Sequence, residues 1–262
     1  MKYFLCIFAL FVFNSDACTF TMGYRVNERL PLIEAYPSNK GLYEDLFTVA
    51  LSKINCKLTI LREPKKRLIK GLIGGELDFY PGFTFSKERS AYAFFFENGL
   101  DLSFVAISQR KQPSITSIED LKSKIVLVAH GGPTLGLEHV GAIIRYVENL
   151  TIEDAIKYLL QGKADFYIYP KVSIDYYLKM HPQKEIKRHD CCGKARPMLL
   201  GFSKNSPHIV LKKNTNVIES KEVTYNPFFK MEKLSKAYAL QQAIQQMKKE
   251  GLIDKIYKKH YQ

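Results

Sequence analysis

The sequence has no tryptophan, only 15 glycines and 11 prolines in 262 residues, and a single long apolar run, at its extreme N-terminus. So little Gly and Pro excludes collagen-like and low-complexity chains, and one apolar run excludes a polytopic membrane protein. Acidic residues are also scarce: 26 Asp and Glu stand against 39 Lys and Arg, a formal net charge of +13. The remainder is ordinary globular material, 46% hydrophobic and 13% aromatic with a mean hydropathy of -0.17. A chain of this length suits two units, each of about 100 to 150 residues and able to bury its own core.

Excess positive charge raises the local concentration of anionic partners. The basic residues nevertheless fall in short groups, Lys65-Lys66-Arg67, Lys212-Lys213 and Lys248-Lys249, with no zinc-finger spacing and no basic region leading into heptads. A solvated basic surface is the expectation, and no nucleic-acid partner.

Lys2, the apolar stretch from Tyr3 to Phe13 and the small residues Ser15 and Ala17 form a secretory signal pattern. Residues 1–17 are therefore expected to be removed, leaving a periplasmic protein that begins at Cys18. An acylated Cys18 ranks second, because Ser15 and Asp16 stand where a lipoprotein signal carries apolar and small residues. Four cysteines then remain, Cys18, Cys56, Cys191 and Cys192, in a compartment where disulfides persist. Cys18 and Cys56 each precede an expected strand, Thr19 to Tyr24 and Lys57 to Leu61; if those strands are parallel neighbours, the two cysteines bridge at one sheet edge. Cys191 and Cys192 then pair with each other or stay reduced.

Helical spacing of Leu42, Leu46, Val49, Ala50 and Ile54, and Pro64 opening a segment that runs to Ile73, place helices after the first and second strands. A third strand, Leu77 to Tyr80, completes a strand-helix alternation typical of parallel units. After an expected strand from Leu102 to Ser108 the alternation starts again. Ser117 to Asp120 and Thr151 to Asp154 read as helix caps, Ile125 to Ala129 and Asp165 to Tyr169 as strands, and Gly131-Gly132-Pro133 as a turn. The last helices carry Ala237, Leu240, Ile244 and Met247, then Ile253 and Ile256.

Leu72-Ile-Gly-Gly-Glu-Leu-Asp78 followed by Thr84-Phe-Ser-Lys-Glu-Arg89 resembles the L-x-x-G-x-x-D and T-x-T-x-x-R segments of the family 3 extracytoplasmic solute-binding proteins, the amino-acid receptors of ABC importers. Gly41 to Leu46, Ser117 to Gly131, Leu160 to Asp165, Leu200 to Lys204 and Met247 to Tyr257 match further segments in order. The resemblance implies an α/β, two-lobed type II periplasmic binding fold, with mainly parallel sheets flanked by helices, two crossover segments and the solute held between the lobes. Residues 18–108 and 199–262 would form the first lobe and 109–198 the second, with hinges near 108–113 and 195–199.

In the family the arginine of this motif grips the ligand carboxylate, beside a hydroxyl residue five positions earlier and a backbone donor. The resemblance assigns those roles to Arg89, Thr84 and Gly82, and a guanidinium fork suits a carboxylate. Gly131, Gly132 and Thr134, at a turn expected to open a helix, offer backbone N–H groups from the second lobe. Where the amino-acid receptors carry an aspartate for the ligand ammonium, this chain has Pro170, so a standard amino acid loses its counter-ion. Arg25, after the first strand, and Lys65-Lys66-Arg67, after the second, would add cations, while Tyr80 and Tyr169 supply flat walls. The expected ligand is a small anionic or carboxylate-bearing solute, delivered by a monomeric receptor to the membrane permease of an ABC transporter.

The alternatives are a dehydratase-like enzyme acting on a cyclic carboxylate and a ligand-sensing module. An enzyme needs an acid or base in the cleft, for which Glu28, Glu97 or His130 would have to serve. No cofactor is implied. His189, Cys191 and Cys192 lack the two-residue spacing of structural zinc sites, so no metal is expected there.

Overall fold

The computed structural model describes residues 18–129, 134–148, 150–214 and 225–261; the signal segment and the Gly131-Gly132 turn lie outside them. The chain opens with β1 (Cys18–Tyr24), α1 (Leu42–Ser52), β2 (Cys56–Arg62), α2 (Lys65–Gly74) and β3 (Phe79–Tyr80). Each helix returns the chain to the same end of the sheet, so β1 runs parallel to both β2 and β3. Then follow β4 (Ala93–Leu102), β5 (Phe104–Gln109), β6 (Ile125–Ala129), β7 (Ile143–Val147), α3 (Ile152–Leu160), β8 (Phe166–Pro170), α4 (Lys171–Met180) and β9 (Ile186–His189). The last elements are β10 (Arg196–Ser203), β11 (Leu211–Lys213), β12 (Phe229–Met231), α5 (Lys236–Lys249) and α6 (Leu252–Tyr261).

Two five-stranded sheets result, ordered β2-β1-β3-β10-β4 and β7-β6-β8-β5-β9. The first buries Phe20, Met22, Phe47, Phe79, Phe202 and Leu240 in one core. The second is covered on both faces: Phe104, Ala106 and Phe166 point into one cluster and their neighbours Val105, Ile107 and Tyr167 into another, as strand alternation requires.

The repeated G-x-x-D segments do the same structural work in both sheets. The Asp78 carboxylate, 5% exposed, accepts from the Thr21 N–H (2.6 Å) and from the Ser206 hydroxyl, tying β1 to the approach of β3. Asp165 accepts from the Ile125 N–H (2.8 Å) and the Gln112 amide (2.9 Å), tying β6 to the approach of β8. Thr151 caps α3 by accepting from the Asp154 N–H at 3.0 Å. The expected cap at Ser117 to Asp120 opens only a 3-10 turn, Glu119–Leu121, with the Asp120 carboxylate receiving the Thr116 and Ser117 N–H groups.

Several expectations need correction. Neither sheet is mainly parallel throughout: β10 is antiparallel to β3 and β4, and β5 is antiparallel to β8 and β9. Strands β4, β7 and β9 escape a sequence reading, since β4 carries consecutive aromatics rather than an alternation and β7 is a largely exposed edge. The segment 104–108, assigned to the first lobe, pairs in the second sheet, so the chain passes between sheets at Ser103. A single residue separates β4 from β5, and nothing polar enough marks the break. The segment 208–233 contains the β11/β12 ribbon, and Asn226, between its two strands, bonds both the N–H and the carbonyl of Phe95 on edge strand β4 (2.9 and 2.6 Å).

Cys18 stands opposite Cys56 in the parallel register of β1 and β2, and the two form a disulfide with Cα atoms 4.7 Å apart. Peptide mapping without reductant on secreted protein is expected to recover the Cys18–Cys56 link; two free thiols, or a lipidated Cys18, would refute it. Cys191 and Cys192 are bonded to each other. Among the described residues no helix is long and apolar enough to cross a membrane.

Candidate functional site

Arg25 directly follows β1, in a loop that folds back on itself: the Arg29 N–H donates to the Ile33 carbonyl (2.8 Å) and receives the Ile33 N–H at its own carbonyl (3.1 Å). The loop is held by Arg62, the last residue of β2 and 8% exposed. Its guanidinium donates to the carbonyls of Arg25 (2.8 Å), Val26 (3.2 Å), Glu34 (2.7 Å) and Ser38 (2.6 Å), and to the Asn39 side chain (3.3 Å). Sequence reading passed over Arg62, yet it falls on the inward phase of β2 with Cys56, Leu58 and Ile60. A charge on the buried phase of a strand was the available signal.

Arg89 begins a short 3-10 turn after β3. One of its terminal nitrogens donates to the Thr84 carbonyl at 2.7 Å, and the guanidinium lies 4.5 Å from the Phe83 ring centre. A fork held on one side and supported below keeps its other N–H groups for an incoming acceptor. Gly82 has φ +63°, and a Cβ there would lie 2.5 Å from the Tyr43 hydroxyl oxygen, itself bonded to the Met198 sulfur. Thr84 is exposed, and its part in holding Arg89 is played by the main-chain carbonyl.

Tyr80 is 8% exposed and packs between Tyr24 (5.4 Å between ring centres) and Phe83 (5.2 Å), so it serves the core more than a wall. Tyr169, half-buried on β8, stacks on Tyr167 and meets Arg29 of the first lobe, 5.9 Å from ring centre to guanidinium. Arg29, which the sequence reading did not single out, thus links the two lobes. Its side chain bonds Tyr24, while its Nε is sealed from solvent with no hydrogen-bond partner among the described residues. Thr134 is half-buried and no described contact joins it to this group; Gly132 lies outside the described residues.

Burial opposes charge on Arg25, but the Tyr24, Tyr80 and Tyr169 phenols more than offset it and move its pKa up. Arg29 behaves likewise, with burial outweighed by Tyr24, Tyr169 and Tyr43. The Tyr43 and Tyr80 phenols move up, chiefly through burial and then through Tyr24. At neutral pH the site therefore holds charged guanidiniums beside the un-ionised Tyr43 and Tyr80 phenols. The Lys65 ammonium is pushed down by burial, then by the like charges of Arg89 and Arg25. Lys66 and Arg67 do not join it: both are exposed, and Arg67 pairs with Glu63 at 3.3 Å. None of Arg25, Arg29, Lys65 and Arg89 makes an ion pair among the described residues.

Pro170 ends β8 and precedes α4, so no carboxylate stands at that strand end. Glu28 is exposed on its loop, Glu97 is exposed on edge strand β4, and His130 lies outside the described residues. His189 is packed rather than ligating: its Nε2 lies 2.9 Å from the Ser108 hydroxyl, its Nδ1 accepts from the Ile115 N–H, and burial lowers its pKa. Among the described residues no group of three His, Cys, Asp or Glu side chains is placed to hold a metal. A hollow of about 410 Å³ at the crossover, lined by Leu102, Phe104, Leu135, Cys192 and Arg196, includes none of the candidate residues. The arrangement around Arg89 and Arg25 can hold an anion.

Three solved structures share the fold. The ligand-binding core of GluR0 with L-glutamate has a TM-score of 0.71 at 16% identity, over 94% of this chain and 100% of that one. An ancestral arginine-binding protein bound to arginine gives 0.65 at 20% identity, over 93% and 98%. The ancestral amino-acid-binding protein AncCDT-1, described as a precursor of cyclohexadienyl dehydratase, gives 0.66 at 18% identity, over 93% and 96%. None of the curated proteins matches in sequence. The model of the bacterial extracellular solute-binding proteins, family 3, matches residues 31–262. With two lobes of the type II architecture and a family match over most of its length, the chain belongs to the family 3 bacterial extracellular solute-binding proteins.

Proposed function

We propose that this protein is a periplasmic receptor that captures a small, carboxylate-bearing anion between its lobes and delivers it to an ABC-type permease. The observation that carries the reading is Arg89, a guanidinium propped on Phe83 and the Thr84 carbonyl, whose remaining donors have no partner among the described residues. Arg25, Lys65 and Arg29 extend the positive field, and Pro170 leaves no counter-ion for an ammonium. Related folds are seen with arginine and with glutamate, so the fold leaves the ligand's charge open. The side chains of this chain favour the acid. The reading includes export through a cleavable signal and action as a monomer, with binding rather than catalysis as the activity.

Thermal unfolding tests the charge preference. Small carboxylic acids and acidic amino acids at millimolar concentration are expected to raise the Tm of this receptor, because a ligand bound only by the folded state stabilises it by about 2.7 kcal/mol at a hundred times its Kd. Lysine and arginine are expected to leave it unchanged. A Tm raised by lysine or arginine alone would overturn the reading.

A further inference from the structure

Resting on the carboxylate-binding role proposed for Arg89, we infer that the solute is a diacid without an ammonium group, with one acid group on Arg89 and the second on Arg25 and Arg29. The placement of the cations carries this further than one arginine does. Arg89 rests on the Phe83 ring (4.5 Å), Phe83 packs on Tyr80 (5.2 Å) and Tyr80 on Tyr24 (5.4 Å), the residue before Arg25, so an aromatic row carries the cations from the turn after β3 to the loop after β1, where Arg29 meets Tyr169. Like charges gathered in a partly desolvated site repel one another unless an anion lies among them. Among the described residues none of the four cations Arg25, Arg29, Lys65 and Arg89 makes an ion pair with a carboxylate. A single carboxylate gripped at Arg89 would neutralise one end of the row and leave the other.

Arg29 marks the other end. Its guanidinium bonds the Tyr24 side chain, but its Nε is a buried donor without an acceptor among the described residues, and such donors are rare because their lost hydration is not replaced. The guanidinium is held against Tyr169 of the second lobe, and its backbone is pinned by the pair of hydrogen bonds to Ile33. It is thus pre-positioned where the lobes meet, so an acid group bound there touches both. An α-ammonium would enter this row as a further cation, with Pro170 where a carboxylate would be needed.

Calorimetry on the secreted protein tests the inference with linear diacids from malonate to adipate, their monomethyl esters and L-glutamate, against wild type, Arg29→Gln, Arg29→Lys and Arg25→Gln. At least one diacid is expected to bind about 100-fold more tightly than its monomethyl ester, the cost of leaving a buried charge unpaired. Glutarate should bind more tightly than L-glutamate. Arg29→Gln should remove the preference for the diacid and leave the ester within about threefold of wild type, and Arg29→Lys should restore part of it. Diacid and ester binding within threefold of each other would overturn the inference and leave the carboxylate reading standing. So would an Arg29→Gln protein, folded by circular dichroism, that weakens both ligands equally, since Arg29 would then be only a strut between lobes. If that variant does not fold, Arg25→Gln is judged by the same ratio. Failure of every acid to bind wild type would remove both readings.

Discussion

Arg89→Ala is expected to weaken binding of a carboxylate solute by about 2 to 5 kcal/mol, because truncation leaves the ligand's charge desolvated and unpaired. The fold should survive. Within the protein, Arg89 makes one exposed hydrogen bond to the Thr84 carbonyl and one contact with the Phe83 ring, an interaction of about 0.5 to 1 kcal/mol at an exposed site. Arg89→Lys should recover only part of the affinity, since an ammonium does not reproduce the planar fork. Lys87, exposed in the same turn, is the internal control: its removal lowers the net charge equally and should change affinity little. Calorimetry with whichever acid raises the Tm decides the matter. Equal affinity in Arg89→Ala and wild type would remove Arg89 from the site.

Arg62→Met is expected to lower stability by about 4 kcal/mol, since each buried carbonyl stripped of its donor costs about 1 to 3 kcal/mol. Three carbonyls, those of Arg25, Glu34 and Ser38, lose the guanidinium, whereas Val26 keeps the Tyr36 N–H at 2.9 Å. Relief of the desolvation that already pushes the Arg62 pKa down brings the sum toward the lower end. Affinity should fall as well, because the same guanidinium fixes the loop that carries Arg25 and Arg29. Urea unfolding measures the first effect and calorimetry the second. A loss below 1 kcal/mol with unchanged affinity would show that the loop is positioned by its own turns and by β1 instead.

The contrast between Arg89 and Arg62 shows what kind of information each level carries. Strand-helix alternation through β3, the cap at Thr151, the pairing of Cys18 with Cys56 and the family's motifs are local patterns, and periodicity, turn chemistry and short spacing make them legible in one dimension. Arg89 belongs to this set, because its motif travels with the strand that precedes it. The two aspartates of the G-x-x-D segments were visible as motif positions, but only the folded chain shows them receiving backbone N–H groups from β1 and β6.

Arg29 and Arg62 owe their standing to partners distant in sequence. Arg29 gains its meaning from Tyr169, 140 positions later, and Arg62 from a loop 23 to 37 residues before it. The crossing at Ser103 escaped for the same reason, since pairing with β8 and β9, and not any local punctuation, assigns β5 to the second sheet. By itself the sequence determined the family, the two-lobed architecture and the motif that carries Arg89, because these follow from local periodicity and motif. Only the tertiary structure decided which cations gather with Arg89 and which remain at the surface, because desolvation and the repulsion of like charges depend on distance in space.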